Sequence, residues 1–188
     1  MSTIILTMLE KIELDESSST GTYGKFTVQP LEKGFGVTIG NSLRRVLLSS
    51  LPGTAITAIR VEGIHHEFST IKGVVEDVAD MILNLKQVRI KPINKKATKV
   101  TLQLKGPAQF LASDIQKASS EIEILNPDER IATLNKDAEF ELELRLGRGK
   151  GYAPAEENKS VDQPLGTVAM DSIFTPIKNV RYFVEPTR

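Results

Sequence analysis

Apolar residues recur every three or four positions between Leu31 and Ser50, and this spacing predicts an amphipathic helix. The residues of its main stripe are Phe35, Ile39, Leu43, Val46 and Leu47. We expect this stripe to face the sheet of its own domain. Gly34 and Gly36 permit a sharp entry into the helix, and Pro52 ends it because proline cannot continue the hydrogen-bond ladder.

The same helix carries a second apolar patch, which a partner packed on the main stripe cannot also cover. At about 100° per residue, Val37 and Leu48 fall together on another side of the helix, beside Arg44. Arg44 and Arg45 lie mid-helix, and a guanidinium is rarely buried without a bidentate partner. An ordinary two-sided core helix is the alternative, but arginine between leucines is more typical of a protein interface. We therefore predict that another polypeptide binds this helix.

The rest of the pattern predicts a mainly antiparallel α+β fold. Apolar residues from Val74 to Leu85 form a one-sided helical stripe, with acidic residues near its start and Lys86 near its end, as the helix dipole favours. Strict alternation of apolar and polar residues gives a strand one wet face, which favours antiparallel pairing. We predict strands before Asp15 and at 23–29, 55–62, 100–104, 122–124, 140–146 and 180–184, with loops at 65–73, 147–154 and 156–163.

Composition narrows the possible functions. The chain has 188 residues, with 24 basic and 24 acidic side chains and no cysteine. A neutral chain is a poor candidate for gripping a phosphate backbone. The absence of cysteine removes disulfides, thiolate catalysis and zinc–thiolate sites. The first 14 residues lack the pattern of a secretory signal or a membrane span. We expect a soluble cytoplasmic protein that needs no cofactor.

One enzyme hypothesis stays open as the alternative function. Gly34, Gly36 and Gly40 follow a short strand and open a helix, and Glu62 ends the next strand, about where a dinucleotide-binding fold places its ribose-binding acid. The third glycine comes one place too late for the usual fingerprint, and the later strands look antiparallel. A nucleotide-binding enzyme is therefore the weaker of the two interpretations.

Two further motifs are weighed and assigned no catalysis. The run 147–151 alternates glycine with Arg148 and Lys150 and could cradle a phosphate, but Tyr152 follows where a P-loop has its Ser or Thr and its helix. His65 and His66 are adjacent, and neighbouring side chains make poor metal geometry. We expect a flexible turn and loop residues, and neither a metal site nor an active site.

Several collinear motifs resemble the amino-terminal assembly domain of the bacterial and plastid RNA polymerase alpha subunit. They are the Gly34-Phe35-Gly36 entry with Asn41 and the Arg44–Arg45 pair, then the runs 61–70, 73–78, 82–86, 147–152 and 171–177. The resemblance covers nearly the whole chain. It implies a non-catalytic assembly subunit of a DNA-dependent nucleotidyltransferase, working in a bacterial cytoplasm or a plastid stroma.

The resemblance also implies a domain organisation. Residues 1–51 with 172–188 would form a dimerisation subdomain built from both chain ends. Residues 52–171 would form an inserted, mostly antiparallel subdomain that contacts the large polymerase subunits. Members of the family continue past Arg188 with a strand, an amphipathic helix and a DNA-binding domain. We therefore expect no direct DNA binding, and weaker dimerisation than in a complete alpha subunit.

Specific residues are assigned by the same resemblance. The helix stripe of Phe35, Ile39, Leu43, Val46 and Leu47 would pack in the homodimer. The beta subunit would be contacted by Arg45, Leu48 and Asp80. The beta-prime subunit would be contacted by Lys86 and Met170.

Overall fold

A computed structural model describes residues 11–94, 97–159 and 163–186 of the chain and confirms the predicted α+β class. Contacts divide the chain into a first unit, Met1–Leu48 with Asn179–Arg188, and a second unit, Ser49–Lys178. The functional roles assigned to the two halves stay predictions. The part of the predicted opening strand before Lys11 lies outside the described residues.

The described residues form mostly short strands, with helices between some of them. In chain order they are β1 (Lys11–Leu14), β2 (Phe26–Gln29), α1 (Phe35–Ser49), β3 (Pro52–Val61), α2 (Val78–Leu85), β4 (Ile90–Pro92), β5 (Lys99–Lys105), β6 (Ala108–Leu111), α3 (Ala112–Ala118), β7 (Ile122–Ile124), β8 (Arg130–Leu134), β9 (Glu139–Lys150), β10 (Tyr152–Ala153), α4 (Ala155–Asn158), β11 (Thr167–Ala169) and β12 (Ser172–Ile173).

In the first unit, β1 and β2 form an antiparallel hairpin, and α1 follows. No residue of α1 is buried, so the expectation that a sheet of this unit covers the helix stripe is not met. The predicted strand at 180–184 is also wrong, because no strand is assigned there. This segment instead lies beside α1. A Cβ added to Gly36 would come 2.7 Å from Val184 Cγ1, and one added to Gly40 would come 2.5 Å from Tyr182 Cδ2.

The second unit is built on an antiparallel sheet in the order β5–β9–β3–β4–β7, with β11 also paired to β3. Strand β5 alternates exposed and buried residues along its whole length, which confirms the predicted strand with one wet face. Helix α2 is one-sided, as predicted, but it begins at Val78 rather than at Val74, which forms a β-bridge with Leu134 instead. The helix buries Val78, Met81, Ile82 and Leu85, and the side chain of Asp77 caps its N-terminus.

The predicted loop at 147–154 is wrong, because β9 continues to Lys150 in register with β3. Gly149 pairs with Gly53, and Phe174 lies over this pair: a Cβ on Gly149 would come 2.6 Å from Phe174 Cδ2 of the ring, and one on Gly53 would meet the Phe174 carbonyl oxygen. The absence of side chains at these two positions leaves room for Phe174 to pack against the sheet. Helix α4 then occupies the start of the predicted second loop, and residues 160–162 lie outside the described ranges. No described helix is long and apolar enough to cross a membrane.

Candidate protein interface

The exposed face of α1 is the strongest candidate site in the first unit. Phe35, Leu43 and Val46 of the predicted stripe are between 40% and 52% exposed, and Ile39 and Leu47 are partly buried. These are large apolar side chains with substantial accessible surface at helical spacing. The stripe therefore has the form of a contact surface rather than of a core.

The second patch on α1 is also accessible. Val37 is more than half exposed, Leu48 is partly buried, and Arg44 and Arg45 are both exposed. Burial of all four residues inside one closed subunit would have contradicted an interface. The structure instead presents guanidinium groups beside apolar surface, the combination that protein interfaces favour.

No core is closed by the described part of the first unit. Every buried apolar residue of the described chain falls between Ile56 and Phe174, within the second unit. The large apolar residues left exposed in the first unit are Ile12, Leu14, Tyr23, Phe26, Phe35, Val37, Leu43, Val46, Tyr182, Phe183 and Val184. Exposed apolar residues in this number make the described part of the first unit a candidate for a protein contact.

In the second unit, α2 presents Asp80 to solvent. The backbone N–H of Asp80 donates to Asp77 Oδ1 at 2.7 Å, so the capping bond fixes the first turn of the helix. One turn further on, Leu83 is exposed on the same helix. A carboxylate and a leucine thus stand on a rigid outward surface.

Lys86 caps the other end of α2 and is paired with Asp171, which lies between β11 and β12. The hydrogen bond from Lys86, reinforced by its charge, lowers the pKa of Asp171 despite partial burial. Met170 differs from Lys86, because the residue is only 3% exposed. Its N–H donates to the Thr57 carbonyl and its carbonyl accepts from Asn158 Nδ2, so the described structure offers a partner no free surface there.

Strand β9 carries an ionic cluster, centred on Glu143, that the alternation of apolar and polar residues does not predict. Glu143 falls on the predicted wet face but is only 3% exposed. Its carboxylate lies 2.7 Å from Lys99 Nζ, 3.6 Å from Arg60 Nη1 and 3.4 Å from Arg145 Nε. Burial raises the pKa of Glu143, but the hydrogen bond from Lys99 and the three cations outweigh it, so the pKa is lowered.

The glycine positions do not support the nucleotide hypothesis. The spaces at Gly36 and Gly40 are filled by Val184 and Tyr182 rather than left open for a phosphate. Glu62 follows β3, all of whose described partners are antiparallel, whereas a dinucleotide-binding fold needs parallel strands. The described residues contain no cluster able to hold a metal ion.

Comparison with known proteins completes the description. Residues 59–175 match the family model described as the RNA polymerase Rpb3/RpoA insert domain. Three similar proteins, each named DNA-directed RNA polymerase subunit alpha, come from Chloroherpeton thalassium (59% identical), Chlorobaculum tepidum (56%) and Salinibacter ruber (55%). The matches cover 96–97% of this chain and 55% of each relative. The chain thus spans about half the length of these curated relatives.

Proposed function

We propose that this chain is the assembly part of a bacterial RNA polymerase alpha subunit. The chain belongs to the RNA polymerase Rpb3/RpoA insert-domain family. In this role it forms a homodimer and provides the platform on which the beta and beta-prime subunits are held during transcription in the cytoplasm. Its role is non-catalytic, and the chemistry of RNA synthesis belongs to the assembled polymerase.

The exposed apolar helix α1 is the observation that carries this proposal. We assign the stripe of Phe35, Ile39, Leu43, Val46 and Leu47 to the contact between two copies of the chain. This assignment is supported by the absence of buried residues in α1 and by the open apolar surface of the described first unit. A second copy would remove that surface from water, and each Å² of apolar area buried would stabilise the dimer by about 25 cal/mol.

The large subunits contact other parts of the surface. We assign Arg45, Leu48 and Asp80 to the beta contact and Lys86 to the beta-prime contact. Arg45 and Asp80 are exposed and Leu48 is partly accessible, which supports their assignment. Met170 keeps its assignment only as a prediction from family resemblance, since its burial gives it no independent support.

The decisive experiment measures binding of the chain to the beta subunit after Arg45→Ala. Truncating a charged anchor at an interface costs about 2–5 kcal/mol, so binding should weaken by about 30-fold or more. The far-ultraviolet circular dichroism spectrum should not change, because Arg45 is exposed. Arg148→Ala is the matched control, since Arg148 is an exposed arginine on β9 and should leave binding intact. A loss smaller than about tenfold for Arg45→Ala would contradict its role as an anchor.

A further inference from the structure

The short ladder formed by β10 and β12 carries a pair of exposed apolar side chains. Tyr152 and Ile173 are direct cross-strand partners, and they are 60% and 55% exposed. Directly opposed residues on an antiparallel ladder have neighbouring side chains. The pair therefore forms a small continuous apolar surface.

The backbone beneath this surface is held firmly. The hydroxyl of Ser172, which is buried, donates to the Ile56 carbonyl at 2.7 Å. The N–H of Phe174 donates to the Gly151 carbonyl at 2.8 Å, and Asn158 Nδ2 donates to Ser172 Oγ at 3.0 Å. Bonds on both sides of Ile173 thus fix the ladder, so a partner meets a pre-organised surface.

Asp171 joins this surface to Lys86. Its carboxylate accepts a hydrogen bond from the Lys86 ammonium, and the Tyr152 hydroxyl lies close enough to help lower the pKa of Asp171. Lys86 is the less accessible member of the ion pair, with 18% of its side chain exposed against 31% for Asp171. A protein that approaches here meets Tyr152, Ile173 and the carboxylate before it meets the ammonium.

We propose that Tyr152, Asp171 and Ile173 form the contact surface for the beta-prime subunit, and that Lys86 acts there as a positioning residue that holds Asp171. This inference rests on the proposed function, which assigns Lys86 to that partner. Tyrosine is among the residues that most often anchor interfaces, because it adds a large apolar area and a polar tip at little entropic cost. Asp171 adds a carboxylate whose direction is fixed.

The pairing also defines the chemistry of the partner. Asp171 neutralises Lys86, so the surface as a whole is apolar with a fixed hydrogen-bond acceptor. It fits a segment that brings an apolar side chain to Tyr152 and Ile173 and a hydrogen-bond donor to Asp171. Direct binding of Lys86 would instead require an acidic side chain on the partner, and Asp171 would compete with it.

The first test measures binding of beta-prime to the preformed complex of this chain with beta. Tyr152→Ala and Ile173→Ala should each weaken binding by about tenfold or more. The matched control is Leu125→Ala, which removes an apolar side chain of similar exposure from elsewhere in the second unit, and it should bind normally. Tyr152→Phe keeps the ring and isolates the hydroxyl. Normal binding by both alanine variants, with wild-type and control binding intact, would overturn the inference.

A double-mutant cycle tests the role of Lys86. If Lys86 acts through Asp171, then Lys86→Met and Asp171→Asn each weaken binding, and the double variant weakens it no more than the stronger single change. If Lys86 binds the partner directly, Asp171→Asn releases the lysine and binding improves or stays unchanged. That result would overturn the positioning role. Normal binding by Lys86→Met would remove its assignment from the proposed function, whereas the tyrosine and isoleucine variants test the new surface by themselves.

Discussion

Replacing Glu143 with glutamine should destabilise the second unit, and the structure indicates by how much. Glutamine has nearly the same shape as glutamate, so the packing of β9 is preserved and only the charge is lost. The carboxylate is almost fully buried, while the side chains of Lys99, Arg60 and Arg145 keep 53%, 42% and 30% of their exposure. The cations can therefore return to water when the charge is removed.

The difference in burial between the Glu143 carboxylate and its three cations determines how much stability Glu143→Gln should lose. Removing one member of a fully buried ion pair costs about 3–5 kcal/mol, because an uncompensated charge stays inside. In Glu143→Gln the charges that remain are partly solvated, so the cost should approach that of a lost hydrogen bond to a charged group, about 1.5–3 kcal/mol. For a chain of this size, 2 kcal/mol corresponds to a fall in Tm of about 4–8 °C.

The measurement is thermal unfolding of the full chain at several pH values, with Glu141→Gln as control. Glu141 lies on the same strand but is exposed, and its replacement should change Tm little. The lowered pKa of Glu143 means that its stabilisation is complete above the unfolded glutamate pKa, about 4.3, and is lost as the pH falls through the folded value. The difference in Tm between wild type and Glu143→Gln should therefore be largest at pH 7 and should disappear at acidic pH.

Two results would refute this reasoning. An equal Tm for Glu143→Gln and wild type at pH 7 would mean that the three cations only offset the cost of burying the carboxylate. A gap that stays constant down to pH 3 would mean that the loss comes from packing rather than from charge.

Two other predictions concern shape and association. Gly149→Ala should lower the free energy of unfolding, measured by urea titration, by about 1–3 kcal/mol, because the new Cβ meets the Phe174 ring. Gly21→Ala is the control: its Cβ meets nothing within 4 Å, so the change should be nearly neutral. Equal effects of the two changes would exclude the contact as the cause. Val46→Asp should shift the chain from dimer to monomer in analytical ultracentrifugation, because it places a charge in the proposed contact, while Val75→Asp on the exposed surface of the second unit should not. A Val46→Asp chain that still sediments as a dimer would remove the stripe from the dimer contact.

Local periodicity predicted the elements whose environment is set by their own sequence. The alternation of β5 and the one-sided stripe of α2 appear as expected because each buries one face against a single neighbouring layer. The burial of Glu143 could not be predicted, because it depends on Arg60 and Lys99. These two residues come from β3 and β5, which are distant from Glu143 in sequence. The glycine-rich end of β9 has the sequence pattern of a loop for the same reason, since Phe174 covers it from outside the motif.

The candidate site was predictable to the extent that it depends on α1. Mid-helix arginines beside apolar residues indicated an accessible surface, and the exposure of Arg44, Arg45 and Val37 agrees with that interpretation. The Tyr152–Ile173 pair could not be predicted, because the two residues belong to separate short strands, and sequence spacing does not reveal their register.

The glycine pair beneath Phe174 constrains how this chain can change over evolutionary time. At Gly53 the obstacle to a side chain is the Phe174 carbonyl oxygen, which every amino acid carries, so no replacement at position 174 can relieve it. At Gly149 the obstacle is the aromatic ring, and a smaller residue at 174 would make room. Position 149 can therefore drift in concert with position 174, whereas position 53 can accept a side chain only if the backbone itself moves.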